Sequence, residues 1–223
     1  MSPSLSGDLT VELAGETLCL LPERAVHWRS TLLIADTHWG KAATLRANAV
    51  PVPHGTTAED LARLSSALAR TGAERLVILG DVIHARQGRS PATLGTLARW
   101  RERHPGIAIL LVRGNHDQRA GDPPEELGIR CVDAPFAEPP FVYRHFPHES
   151  REGYVLSGHI HPAIKLYGGG LQRATLPCFY FGRRVGILPA FGGFTGMGRI
   201  HPGPEDRVYA IAGDEVIGVS NSD

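Results

Sequence analysis

The 223 residues are enough for one medium-sized domain, and a composition of 42% hydrophobic and 21% charged residues is that of an ordinary globular protein. The 23 basic and 23 acidic residues cancel, which excludes a strong overall field that would draw the chain onto nucleic acid or an anionic membrane without specificity. The three cysteines are widely spaced and form no CxxC pair, which argues against disulfides and a structural zinc site, and no apolar run approaches the ~20 residues of a membrane span.

The first half of the chain predicts strands that alternate with helices. An alternating pattern on both sides of Gly15 predicts a hairpin over 9–13 and 17–21. Continuous apolar runs, typical of strands buried on both faces, follow at 31–35, 75–79 and 107–112. Strands that alternate with helices in this way indicate parallel pairing with right-handed crossovers.

Two helices are predicted between these strands. Thr56-Thr57-Ala58-Glu59 is a capping-box pattern, so the first helix is expected to start near Thr56 or Thr57, with Gly72 as its C-cap. Ser90 followed by Pro91 marks the start of the second helix.

After Pro123-Pro124 the predicted strands become short and closely spaced, which is typical of a second, largely antiparallel sheet. They lie at 141–144, at 154–157, at 185–188 and on both sides of Gly213-Asp214. We therefore predict a single α/β domain over 1–223, built as a four-layer αββα sandwich in which helices flank two mixed sheets.

Five polar clusters follow predicted strands, where an α/β sheet places its chemistry. They are Asp36-Thr37-His38, Gly80-Asp81-Val82-Ile83-His84, Gly114-Asn115-His116-Asp117, the single His145, and Gly158-His159-Ile160-His161. Mixed carboxylate, amide and imidazole donors suit Mn²⁺, Fe²⁺ or Zn²⁺. Two such cations ~3.5–4 Å apart can generate a hydroxide at neutral pH and stabilise the charge that develops on phosphorus. No single cluster is specific, but together they predict a two-metal hydrolytic centre.

The first and last clusters raise the question of which residues share an ion. Residues two apart in an extended segment face the same side, so we expect Asp36 and His38 to hold one cation. His159 and His161 would share one cation in a strict strand, whereas a bend at Gly158 would send them to two. The residues alone leave both arrangements open.

The remaining candidates have distinct expected roles. Asp81 can bridge two cations through its two oxygens, and His84 is placed to reach over the site. Asp117 is expected to orient His116, which then faces the substrate. His145 is favoured over His148 because it stands at a strand end. The other histidines, which lack such a setting and are expected to be structural or exposed, are His27, His54, His104 and His201.

Other nucleotide and hydrolase motifs are absent from the sequence. Gly40-Lys41-Ala42 is not part of a P-loop, because Ala35 stands where the first glycine belongs and Ala42 replaces the serine or threonine. No Gly-x-Ser-x-Gly elbow occurs. The glycines of 191–198 do not fit a dinucleotide fingerprint either, and we predict a tight loop at the rim of the site.

In their order and spacing, the five clusters resemble the calcineurin-like metallophosphoesterase superfamily. The segments 38–43, 50–57, 176–179 and 188–196 resemble its bacterial DNA ligase-associated branch, so the resemblance extends over nearly the whole chain. It implies a first metal on Asp36, His38 and His161. It implies a second metal on Asn115, His145 and His159, with Asp81 as the bridge.

The same resemblance implies roles for two further histidines. His116 would contact the phosphate and stabilise or protonate the leaving oxygen. His84 stands where double-strand-break-repair nucleases of the superfamily also carry histidine, which favours a phosphodiester over a simple monoester. Both are therefore catalytic candidates.

The leading hypothesis is a metal-dependent phosphodiesterase or nuclease, with two divalent ions, Mn²⁺ before Fe²⁺ or Zn²⁺, acting on DNA in repair. The resemblance implies an ATP-dependent DNA ligase, a helicase and a second nuclease as functional partners. A small-molecule phosphatase or cyclic-nucleotide phosphodiesterase is the alternative. A non-catalytic binding module is a third class, although such proteins typically lose ligands and here every position is filled. Residues 1–8 have neither the basic nor the apolar region of a signal peptide, so a cytoplasmic location is expected.

Overall fold

Two β-sheets pack face to face in this protein. The computed structural model describes residues 7–52, 55–167 and 173–220. The first sheet has the strand order β1-β2-β3-β4-β5-β6-β7, antiparallel from β1 to β4 and parallel from β4 to β7. Its strands are Leu9–Leu13, Glu16–Leu21, Ala25–Trp28, Thr31–Ile34, Arg75–Ile78, Ala108–Val112 and Ile129–Val132.

The second sheet is mixed. Its main path runs β14-β11-β12-β13-β10-β9-β8, and β15 joins β12 and carries β16. The strands β8 to β16 are Phe136–Glu138, Phe141–Tyr143, Tyr154–Ser157, Pro162–Tyr167, Arg173–Phe181, Val185–Ile187, Gly198–Arg199, Arg207–Ala212 and Glu215–Val219.

Four α-helices accompany the sheets in the described residues. They are α1 Lys41–Ala47, α2 Thr56–Thr71, α3 Pro91–Arg103 and α4 Asn115–Ala120, and short 3₁₀ turns cover Arg86–Gly88 and Glu125–Leu127. The apolar faces of α2 and α3, with residues such as Leu64 and Trp100, pack on one face of the first sheet. None of the described helices is long and apolar enough to cross a membrane.

The main core lies between the sheets, where strand side chains of period two meet from both sides. Leu33, Val77 and Leu110 of the first sheet share this cluster with Phe141 and Phe179 of the second. The predicted α/β sandwich of two mixed sheets and helices is therefore confirmed. The helices all precede Gly128, and the described residues after it form strands and loops only.

Both predicted helix starts are confirmed, but the capping of the first was wrong. Helix α2 begins at Thr56 behind Gly55, whose φ of 94° places it in the left-handed region, and no threonine side chain caps it. Thr57 Oγ1 instead accepts a hydrogen bond from Gly40 N at 3.2 Å. Helix α3 follows the prediction, because the Ser90 side chain accepts from Thr93 N.

The second half of the chain departs from the predicted pattern in two places. Strand β7 comes after Pro123-Pro124 but joins the first sheet, parallel to β6, because Ile129 pairs with Ile109 in its buried layer. The second sheet is not antiparallel at its centre, since β10 is parallel to both β9 and β13. Helices α1 and α4 are too short to show a clear apolar period, and the sequence pattern did not predict them.

Candidate metal centre

The five polar clusters meet at one edge of the sandwich. The parallel strands β4, β5 and β6 end there and deliver Asp36, Asp81 and Asn115, while β9 and β10 of the facing sheet deliver His145 and the 158–161 segment. Backbone bonds join neighbouring strand ends, such as Asp36 N to Gly80 O at 3.2 Å. The packing of the two sheets therefore brings together residues up to 125 positions apart.

The polar segments turn sharply instead of continuing the strands. Asp36, His38, Asp81, His159 and His161 all have positive φ, between 44° and 69°. Non-glycine residues rarely adopt this conformation, and it concentrates at functional sites. The expectation that Asp36 and His38 meet because their segment is extended was therefore wrong, although the two residues do meet.

A first group of potential ligands consists of Asp36, His38 and His161. His38 Nε2 lies 3.3 Å from His161 Nε2, and His161 Nε2 lies 3.5 Å from Asp36 Oδ1. The Nδ1 atom of His161 donates to the Gly196 carbonyl at 3.1 Å, which orients the ring so that Nε2 faces the group. These atoms are close enough to bind one ion.

A second group consists of Asp81, His145 and His159. His145 Nε2 lies 3.1 Å from both His159 Nδ1 and Asn115 Oδ1, which adds the amide to the group. His145 Nδ1 contacts the Leu79 carbonyl at 3.0 Å, which turns Nε2 inward. His159 and His161 therefore belong to different groups, and the bend at Gly158 separates them.

One oxygen lies between the two groups. Asp81 Oδ2 is 3.3 Å from His145 Nε2 and 3.8 Å from His38 Nε2. The other oxygen of this buried carboxylate, Oδ1, accepts from His116 N at 2.9 Å and is fixed. Asp81 is therefore the residue placed to serve both groups.

The donor set fits divalent cations. Asp36 Oδ1 is fully buried and has no hydrogen-bond partner among the described residues, whereas Asp36 Oδ2 accepts from His159 N at 2.8 Å. A buried carboxylate oxygen without a partner is costly, and a cation would satisfy it.

Electrostatics prepare most of these groups as ligands. Burial lowers the pKa of His38 to about 2 despite the attraction of Asp81, so His38 is neutral. Burial disfavours the charge of Asp81, but the hydrogen bond and charge of His145 outweigh it and lower the pKa of Asp81 to about 2. Burial likewise opposes the charge of His145, yet Asp81 and Asp36 raise its pKa to about 9. A cation bound there would replace the proton of His145.

His116 and His84 sit beside the first group. His116 Nδ1 donates to the backbone carbonyl of His84, which leaves Nε2 facing the site, 4.0 Å from Asp81 Oδ2. His84 Nδ1 is 3.2 Å from His38 Nδ1, and the His84 and His116 rings stack with centroids 4.8 Å apart. The three histidines 38, 84 and 116 form a further cluster. Both expected substrate-facing histidines therefore reach the centre.

Asp117 does not orient His116, contrary to the expectation. Its carboxylate accepts three backbone hydrogen bonds, from Asp81 N at 2.7 Å, Gly114 N at 2.8 Å and Val82 N at 2.9 Å. The orienting partner of His116 is the His84 carbonyl instead, because the α4 turn directs the Asp117 side chain back toward β5. Asp117 thus fixes the two loops that carry Asp81 and Asn115.

The first residue of three of the clusters is a glycine packed so closely against a site side chain that there is no room for a Cβ. A Cβ on Gly114 would lie 2.3 Å from Asp81 Oδ1, and one on Gly158 would lie 2.4 Å from Asp36 Oδ2. A Cβ on Gly80 would lie 2.2 Å from His145 Nδ1. The motif glycines are therefore needed for close packing around the ligands.

The remaining histidines lie outside the groups. His148 is exposed and stacks on Phe146 with centroids 6.0 Å apart. His104 caps α3 through Trp100 O, His27 lies in β3, and His201 is exposed. His54 lies outside the described residues.

Exposed apolar side chains gather at the rim. Among the described residues, Phe146, Ile160, Phe194 and Met197 are large hydrophobics that are 36% to 54% exposed. They lie in the loops that carry or adjoin His145, His159 and His161, and the Phe146 ring is 4.4 Å from the His159 ring, centroid to centroid. The glycine-rich 191–198 loop is thus at the rim, as predicted.

The arginines near the second cluster mostly bind backbone carbonyls. Arg89 donates to the Ala120, Gly121 and Asp122 carbonyls at the end of α4. Arg101 donates to His104 O and Ile107 O. Arg86 donates to Arg119 O and Arg103 to Arg99 O, while Arg99 donates to Thr96. These contacts orient the guanidinium groups but leave their positive charge, because the carbonyl acceptors are neutral.

Comparison with known proteins places this geometry in context. The family model described as calcineurin-like phosphoesterase matches residues 30–170. The sequence of this chain is 42% identical to that of a nuclease named MPE from Pseudomonas putida. The crystal structure of that nuclease superposes on this one with a TM-score of 0.85, and the match covers 95% of this chain and all of that one. YfcE, a phosphoesterase from E. coli, is 16% identical over 86% of this chain and 99% of its own, with a TM-score of 0.38. Among proteins with curated descriptions, none matches significantly.

Proposed function

The chain belongs to the calcineurin-like phosphoesterase family and is a metal-dependent phosphoester hydrolase, and we propose that it is a nuclease that hydrolyses phosphodiester bonds of DNA. The proposal rests on the site and on a close structural neighbour that is a nuclease. The five clusters that carry the resemblance in the sequence are also those that meet at the sheet edge.

The observation that carries the proposal is the position of Asp81 Oδ2 between two ligand groups. On one side stand Asp36, His38 and His161, and on the other Asn115, His145 and His159. We assign these seven residues as the ligands of two divalent cations, with Asp81 shared. Bound there, the cations would supply a nucleophile at neutral pH and neutralise charge on the phosphate.

His116 is assigned to the substrate. Its Nδ1 proton is held by the His84 carbonyl, so Nε2 is directed at the space above Asp81. A protonated Nε2 at this place can donate to a phosphate oxygen or to the leaving oxygen. His84 stacks on His116 and lies beside His38, so it is assigned to the same face of the site, where a diester substrate would contact it.

The types of donor atom at the site indicate which metal it binds, and the apolar side chains at its rim indicate what kind of substrate it takes. Four imidazoles with three oxygen donors suit Mn²⁺, and Fe²⁺ or Zn²⁺ would also fit. The exposed rim that includes Phe146 offers an apolar surface to the organic part of a diester. From the resemblance of the segments between the clusters, we infer a role in DNA repair beside an ATP-dependent DNA ligase, a helicase and a second nuclease.

Loss of the shared carboxylate tests the proposal. Asp81→Asn removes charge from both groups while it keeps the side-chain volume, so hydrolysis of bis-p-nitrophenyl phosphate and of DNA should fall by about two orders of magnitude or more. The Mn²⁺ content after dialysis should fall from about two ions per chain. Hydrolysis that survives both this variant and a chelator would refute a metal-dependent reaction at this site.

A small-molecule phosphatase or cyclic-nucleotide phosphodiesterase is the second candidate. Zero net charge favours it, because no overall field draws the chain to a nucleic-acid backbone. The arginines that follow the second cluster in the sequence, such as Arg89, speak weakly for DNA instead, since they keep their charge when they donate to backbone carbonyls. Binding to a DNA oligomer at 50 and 200 mM salt separates the two. A nuclease that contacts several phosphates loses affinity steeply as salt rises, and a flat response would favour the small substrate.

A further inference from the structure

The glycine-rich 191–198 loop, taken here together with Ala190 as residues 190–198, is joined to both the end of β4 and His161. Phe191 N donates to Ala35 O at 2.7 Å and Gly192 N donates to Asp36 O at 3.1 Å. Farther along, the Gly196 carbonyl accepts from His161 Nδ1 at 3.1 Å. The loop thus hydrogen-bonds to two of the three residues of the first group, and within the described residues no hydrogen bond joins it to a side chain of the second.

A charged cluster beneath the loop, made of the buried Asp60 and the half-buried Arg63 and Arg24, fixes it from α2 and the β2–β3 turn. Asp60 Oδ1 accepts from Gly193 N and from Arg63 Nη2, both at 2.8 Å. Arg63 Nη2 also donates to Phe191 O, and its guanidinium lies 4.5 Å from the centroid of the Phe191 ring. Arg24 Nη1 donates to Ala190 O and Gly192 O, both at 3.3 Å. Asp60, Arg63 and Arg24 will be called the loop anchor.

The burial of Asp60 indicates that the loop anchor contributes little to the free energy of unfolding, so we interpret its role as holding the loop in place. Asp60 is only 4% exposed, and burial raises its pKa even though Arg63 and the Gly193 N–H oppose the shift. An ionised carboxylate here therefore costs folding free energy. A buried ionic group of this kind is weak evidence of a stabilising role, and here its directional hydrogen bonds end on the loop backbone.

The space around the loop leaves little room for adjustment. A Cβ on Gly192 would lie 2.4 Å from the Thr37 carbonyl, and one on Gly198 would lie 2.0 Å from the Ile160 carbonyl. The loop backbone therefore packs against the residues that follow Asp36 and precede His161. A shift of the loop moves both.

We propose that Asp60 is a positioning residue for the first group: with Arg63 and Arg24 it holds the 190–198 loop, and the loop holds Asp36 and His161 in register to bind one of two cations. The inference deepens the proposed function, because it assumes that the two groups bind cations. It assigns a role to residues on α2 and the β2–β3 turn that touch neither cation nor substrate.

Calorimetric titration with Mn²⁺ tests this on the full chain. Asp60→Asn should weaken one of the two Mn²⁺ sites by about 10- to 100-fold and leave the other within about twofold. Asp36→Asn and His159→Asn identify which site is which, and the weakened site should be the one that Asp36→Asn removes. Glu59→Gln, a neighbouring exposed acid on the same helix, is the matched control and should leave both sites unchanged.

Two further measurements separate positioning from general damage. The unfolding midpoint of Asp60→Asn should stay close to that of the parent chain, and saturating Mn²⁺ should restore kcat. If Asp60→Asn fails to fold, Arg63→Lys keeps the charge but loses the geometry of the guanidinium, and it should weaken the same site.

The outcomes also distinguish this inference from the proposed function. Unchanged affinity at both sites in a folded Asp60→Asn or Arg63→Lys protein would overturn it, as would equal weakening of both sites. A parent chain that binds fewer than two Mn²⁺ ions would instead contradict the proposed two-metal centre.

Discussion

The carboxylate of Asp117 accepts a 2.7 Å hydrogen bond from the backbone N–H of Asp81, across two loops that are 36 residues apart in the chain. The same carboxylate binds the N–H groups of Val82 and Gly114. One buried side chain therefore sets the conformation of both loops, and with it the place of the shared ligand.

Replacing Asp117 by alanine should destabilise the protein by about 3 kcal/mol or more, because three buried N–H groups lose their acceptor. Denaturant unfolding measures this change. Asp117→Asn keeps one acceptor oxygen and should cost less. Asp133→Ala is the control, since the Asp133 side chain is 82% exposed and its pair with Arg113 is worth little. Equal stability of the two alanine variants would contradict this role.

Gly114→Ala should disturb the metal centre without any change in polar groups. The new Cβ would meet Asp81 Oδ1 at 2.3 Å, so the carboxylate must move or the loops must separate. We expect Mn²⁺ affinity to fall by about 10- to 100-fold. Gly106→Ala is the matched control, because its Cβ has nothing within 4 Å. Full Mn²⁺ affinity in Gly114→Ala would mean that the Asp81 position is not critical.

Phe146→Ala tests whether the rim takes part in substrate binding. If an exposed base rests on this ring, its loss should weaken DNA binding by about 1–3 kcal/mol, measured with the inactive Asp81→Asn protein as background. Ile217→Ala removes an equally exposed apolar side chain from β16 and should have no effect. Equal binding by both variants would place the substrate elsewhere.

The cysteines should be unreactive in the folded protein. Burial raises the pKa of the Cys178 thiol to about 12 and those of Cys19 and Cys131 to about 11. At pH 8 the thiolate is then on the order of one thiol in a thousand or less; it rises about tenfold per pH unit and becomes a large fraction only near pH 11. A disulfide exchange reagent should titrate all three thiols after unfolding and almost none before. Fast labelling of a folded thiol at pH 8 would be the contrary result.

Much of the fold could be predicted from short-range patterns. The buried strands at 31–35, 75–79 and 107–112 and the start of α3 at Ser90-Pro91 follow from apolar runs and capping chemistry, which are local. The cap of α2 could not be predicted, because the Thr57 hydroxyl accepts a hydrogen bond from Gly40 N, which is a tertiary contact. The placement of β7 depends on which sheet edge is free, and no local signal carries that information.

The sequence by itself determined which residue types stand at the strand ends, and therefore that carboxylates, imidazoles and an amide would converge at one edge. The tertiary structure decided how they are divided. Left-handed turns at His159 and His161 send neighbouring imidazoles to separate groups, and the packing of two sheets places Asp81 between them. The loop anchor around Asp60 is also a tertiary feature, because the loop residues that it binds, such as Gly193, are more than 100 residues away in the sequence. The type of each side chain is read directly from the sequence, whereas the distances between side chains across the core depend on how the two sheets pack.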